Sequence, residues 1–89
     1  MKDFSKYSAI IIGAGDATGS ALTKKFANKG YKVCPVRRPR SIDKVNMLAE
    51  EINNNGGSAK GYGVDARDED SIKDLFDEVE NNVAPIDVV

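Results

Sequence analysis

Three glycines, at positions 13, 15 and 19, follow directly on an apolar run, Ala9 to Ile12, and precede a helical pattern. Strand, glycine-rich turn and helix in that order can cradle a phosphate. Gly13 lets the chain turn sharply, and Gly15 lets backbone approach an anion with no Cβ in the way. Gly19 lets the new helix lie close to the sheet. The first turn of that helix offers unpaired N–H groups and a partial positive charge. Other chemistry is excluded by composition. The chain has no histidine and one cysteine, Cys34, so a zinc site or a histidine general base has no residues to build on. No Gly-Lys-Ser/Thr follows the glycines, which excludes a P-loop.

The 89 residues amount to one small domain at most, able to bury roughly 60–65% of the unfolded surface. Thirteen basic residues face fourteen acidic ones, which gives no drive toward nucleic acid or anionic membrane. The polar N-terminus does not resemble a signal peptide, and no apolar run is long enough to cross a bilayer. A lone cysteine in an apolar stretch suits a buried thiol in a reducing, cytoplasmic setting.

The elements that must hold the glycine turn follow from periodicity. Residues 8–13 read as a buried parallel strand. Ala21, Leu22, Phe26 and Ala27 form a helical stripe that Gly30 ends. Residues 31–36 read as a second strand, with Pro35 expected near its end or on an unpaired side. Ser41 is the expected N-cap of a helix whose stripe is Val45, Leu48, Ala49 and Ile52. Asn53 to Gly57 turn the chain into a third strand over 58–64. Asp68 is the expected N-cap of a helix with Ile72, Leu75, Phe76 and Val79 on its apolar face. Ile86 to Val89 open a fourth strand. The Lys24-Lys25 and Glu50-Glu51 pairs read as solvated faces, and Tyr62 and Phe76 as core. This alternation predicts an α/β fold of three layers, Rossmann-like, a parallel sheet of about four strands with helices on both faces.

With these features in place, the chain resembles the N-terminal, cofactor-binding part of a short-chain dehydrogenase/reductase, from about Ser8 to Val89. The family motif Thr-Gly-x-x-x-Gly-x-Gly is matched by Ile12-Gly13-Ala14-Gly15-Asp16-Ala17-Thr18-Gly19. Gly13 and Gly19 keep the pattern, while Ile12 and Ala17 depart from it. The resemblance implies that Gly13, Gly15, Asp16, Ala17, Thr18 and Gly19 surround the cofactor diphosphate. It also implies that Asp65 contacts the adenine, with Ala66 beside it where a larger aliphatic residue is usual. Pro85 to Val89 resemble the approach to the family's fourth strand, so residues 1–89 are expected to be part of one domain, truncated there.

Arg37 and Arg38 address the choice of cofactor. A site for an unphosphorylated ribose usually has an acid after the second strand, which would repel a 2′-phosphate. Here no Asp or Glu lies between Val36 and Ile42, and two guanidinium forks stand in that place. NADP is therefore expected over NAD, with Asp16 in the glycine loop as the one opposing charge. Arg40 reads as a solvated turn residue, and Asp65 has an alternative reading as a loop cap. The family's hydride transfer between nicotinamide and a carbonyl or alcohol carbon uses a Tyr-x-x-x-Lys spacing, and none of the three tyrosines here has it. Catalytic residues and the substrate site are thus expected beyond this chain, and the resemblance implies a homo-oligomer for the full-length protein. The competing reading is a dinucleotide-binding sensor without chemistry. An adenosylmethionine-dependent methyltransferase also uses a glycine loop, but it wants an acid where Arg37 and Arg38 stand.

Overall fold

The computed structural model describes residues 4–13 and 17–89. After a 3-10 turn at Phe4–Lys6, the elements run β1 (Ser8–Ile12), α1 (Ala17–Asn28), β2 (Lys32–Arg37) and a second 3-10 turn (Pro39–Ser41). Then come α2 (Ile42–Asn54), β3 (Ser58–Ala59), β4 (Tyr62–Gly63), α3 (Glu69–Asn82) and β5 (Ile86–Val88). The sheet order is β3-β2-β1-β5, with β4 also on β2, and every pairing is parallel. The first two crossovers run one way from β1 and the third returns past it. Crossovers of fixed hand therefore put α1 and α2 on one face and α3 on the other.

Alternation along the strands feeds both faces. Ala9, Ile11, Tyr31 and Val33 pack with Val45, Leu48 and Ile52 of α2, and Phe26 and Ala27 of α1 close that side. Ile10, Cys34 and Val36 point the other way, against Leu75 and Val79 of α3. Tyr62 and Phe76 lie half-buried against this second cluster, as expected of core residues. Cys34 is fully buried, and burial pushes its thiol up to about 11.

Four expectations change. Leu22 does not lie in the buried stripe of α1: it is 44% exposed, and the buried positions are Gly19 and Thr23. Phe26 and Ala27 pack half-buried against the sheet cluster, and the Thr23 hydroxyl is satisfied by donating to the Gly19 carbonyl at 2.7 Å. The third strand is not continuous over 58–64, because β3 and β4 are separated by Lys60 and Gly61. Pro35 accounts for the gap. The carbonyls of Val33 and Arg37 accept from Lys60 and Val64 on that side of β2, so Pro35 between them faces the same neighbour with no N–H to give. It sits in mid-strand, not at the end, but at an interruption of the ladder. Gly61 completes the break: a Cβ there would stand 3.0 Å from the Val45 carbonyl carbon, so the chain can lean on α2 only as glycine.

Ser41 occupies the N-cap of α2, but its side chain makes no capping bond. Asp68 does cap α3, accepting from the N–H groups of Asp70 and Ser71 at 3.1 and 3.3 Å. Finally, Lys24 and Glu51, expected only to be solvated, form an ion pair of 2.9 Å that joins α1 to α2. At the opposite end of the sheet, buried Ser8 donates to the Ala84 carbonyl at 3.0 Å, tying the start of β1 to the approach to β5.

Candidate functional site

A cleft of about 410 Å³ opens at the carboxyl ends of β1, β2 and β4. In open parallel sheets this is where ligands bind, because helix N-termini and loops converge there. Gly13 follows β1 with φ +85°, and among the described residues beyond its chain neighbours no atom lies within 4 Å of where a Cβ would be. Backbone conformation, not crowding, therefore requires glycine. Its N–H donates to the Val36 carbonyl at 2.9 Å, which fixes the turn against β2. Ala17 and Thr18 open α1 and are exposed, and Gly19 is buried beneath them. Gly15 and Asp16 lie outside the described residues.

Arg37 is the last residue of β2, half-buried, with its carbonyl accepting from the Val64 N–H at 2.7 Å. Arg38 precedes Pro39, which bars it from helical backbone and holds it extended at φ −56°, ψ 151°. The chain then turns through Pro39–Ser41, and Arg40 and Ser41 join the same wall. Arg40, expected to be a solvated turn residue, is exposed but lines the cleft beside Arg37 and Arg38. Among the described residues, none of these three guanidinium groups has an ion-pair partner.

Opposite them stands the loop after β4. The Asp65 carboxylate accepts the Arg67 backbone N–H at 2.9 Å, Arg67 Nε at 3.2 Å and a second guanidinium nitrogen at 3.3 Å. The guanidinium beside it holds the Asp65 carboxyl below its usual range, helped by the Arg67 N–H and by the charge of Arg38. Asp65 thus does cap its own loop, and it also faces the cleft, so its two readings are compatible. Ala66 lies next to it on the same wall.

The structure therefore brings together Gly13, Arg37, Arg38, Asp65 and Ala66. Arg67 was not singled out by sequence, and Ser41 was expected only as a helix cap. The spacing Asp-x-Arg at a loop, with a backbone N–H two residues on, was the available signal for Arg67. The chemistry on offer is anion binding by free arginines, a positive-φ glycine that admits backbone close to a ligand, and one carboxylate able to accept from an amino group. Those donors fit a dinucleotide carrying phosphates and an adenine. Among the described residues no group of three or more His, Cys, Asp or Glu gathers as a metal site, and no helix is long and apolar enough to cross a membrane.

The family described as short chain dehydrogenase matches residues 7–89. An uncharacterised oxidoreductase of Bacillus subtilis is 30% identical over 82 residues, which is 92% of this chain and 29% of that protein. A metagenomic short-chain oxidoreductase solved in complex with NADP superposes with a TM-score of 0.77 at 26% identity, over 88% of this chain and 34% of its own. An oxidoreductase of Haemophilus influenza with bound NAD gives 0.83 at 26% identity, over 93% and 29%. The chain spans about a third of the length of these relatives or less. Sheet order, glycine turn and family match agree, and the chain belongs to the short-chain dehydrogenase family.

Proposed function

We propose that this chain binds the adenosine and diphosphate part of NADP(H) for an oxidoreductase acting on a small carbonyl or alcohol. The observation that carries the reading is the wall at the end of β2. Arg37 and Arg38 stand there with no ion pair to any described residue, where an acid would select an unphosphorylated ribose. The complexes of related proteins with NADP and with NAD support a dinucleotide, and the arginines favour the phosphorylated one.

In this reading Gly13, Gly15, Asp16, Ala17, Thr18 and Gly19 line the diphosphate, with the first turn of α1 donating N–H groups. Arg37 and Arg38 take the 2′-phosphate, and Asp65 and Ala66 hold the adenine. The bound dinucleotide supplies the carbon that accepts or donates hydride. The residues that move the proton lie outside these 89, which contain no Tyr-x-x-x-Lys. Cys34, buried and unpaired, suits a reducing cytoplasmic setting.

Titration of the whole protein with NADPH and NADH tests this. The wild type should bind NADPH more tightly, and Arg37→Asp should cut that preference by about tenfold or more, since it replaces an attraction to phosphate by a repulsion. Equal affinity of the wild type for both would overturn the choice of NADP.

A further inference from the structure

Among the described residues, four arginines and one aspartate line the cleft, and one of those arginines, Arg67, clamps the aspartate. Asp65 stands opposite the phosphate-binding wall, and the charge of Arg38 already acts on it. Left alone, that carboxylate would meet an anionic ligand in two harmful ways. It would repel a phosphate directly, and it would offer Arg38 an internal partner that competes with the phosphate. Both Asp65 oxygens are engaged elsewhere, accepting from the Arg67 guanidinium at 3.2 and 3.3 Å. The Arg67 backbone N–H, at 2.9 Å to Oδ1, fixes the carboxylate from a second direction.

From this we infer that Arg67 is a specificity-determining residue: it neutralises Asp65 and keeps it off Arg38, leaving the β2 arginines free for a phosphorylated ribose. The inference rests on the proposed binding of NADP(H) and adds a residue that acts through Asp65, not by touching the phosphate. It also explains how a cleft can keep an aspartate for the adenine and still favour a ligand with an extra dianion. The Arg67 side chain is 79% exposed, so its replacement removes charge without opening the core.

The test compares NADPH and NADH affinity for the wild type, Arg67→Gln, Asp65→Asn and the double variant, each in the whole protein. An exposed charge pair acts modestly, so Arg67→Gln should lower the NADPH-to-NADH preference about three- to tenfold, more at low salt. Adding Asp65→Asn should restore it, because the carboxylate that needed neutralising is gone. Any general loss from Asp65→Asn weakens both dinucleotides alike and leaves the ratio readable. A wild-type preference that persists in Arg67→Gln would overturn the role of Arg67 alone. A preference lost in Arg67→Gln and not recovered in the double variant would also overturn it, in favour of direct contact with phosphate. A wild type that does not discriminate would remove the phosphate reading and this inference together.

Discussion

The two faces of the sheet are built from the same alternating strands but are held in different ways. On one face two helices and the sheet enclose a cluster of seven buried residues that includes Tyr31, 5% exposed. Its ring lies 4.8 Å from Phe4 and 5.7 Å from Phe26, the second contact edge-on. On the other face one helix covers five buried residues, and the margin is filled by half-buried side chains and a polar rim. There the Tyr62 hydroxyl donates to Glu78 at 2.5 Å, and Lys60 stands 3.5 Å from the same carboxylate. Crossover direction, not composition, produces the asymmetry. Two crossovers leave β1 toward β2 and β3, and one returns.

The largest effects should separate the two cores. Leu48→Ala, on α2 in the larger cluster, should cost about 3 kcal/mol, and Leu75→Ala, near a margin that can settle, about 2 kcal/mol. Urea unfolding of the two variants gives the comparison, and equal losses would show that the faces are packed alike. Helix starts should differ next. Asp68→Ala should cost about 1 kcal/mol, because two N–H groups of α3 lose their acceptor. Ser41→Ala should change stability by less than about 0.5 kcal/mol, since its hydroxyl makes no capping bond. Thermal melts would test the pair, and a costly Ser41→Ala would mean that α2 is capped after all.

The smallest effect concerns pH. The bond from Tyr31 to Asp87, 2.6 Å long, is the main reason the phenol is pushed up to about 12, with burial second. Its folded value lies above the ordinary 10.0, so its contribution to stability is complete below pH 10 and is lost as pH rises toward 12. Tyr31→Phe should flatten that alkaline decline, measured by unfolding at a series of pH values. A slope identical to wild type would assign the decline to other groups.

The alternation of strands and helices was legible because each long apolar stripe has one period, as at Val45, Leu48, Ala49 and Ile52. The face of α1 was not. Hydrophobicity favours Leu22 as an inward residue, whereas the fully buried positions of α1 are Gly19 and Thr23. The break between β3 and β4 depends on where the missing N–H of Pro35 points, and that requires knowing its neighbour. In the cleft, Gly13, Arg37, Arg38, Asp65 and Ala66 were legible because strand ends carry a motif. Arg40 and Arg67 were not, because a long side chain on a turn has no periodicity to reveal its direction.

Ser8 joins the beginning of this chain to its far end, and that has a consequence on the ribosome. Its hydroxyl reaches carbonyls 76 and 77 residues later, and β1 lies between β2 and β5. Translation at about 5–20 residues per second leaves roughly 4–15 s between the two partners. During that interval β1 can pair with β2, while its other edge waits. Nascent chains stalled before and after Ala84 should therefore differ sharply in protease resistance at β1, even though β1 itself was completed long before.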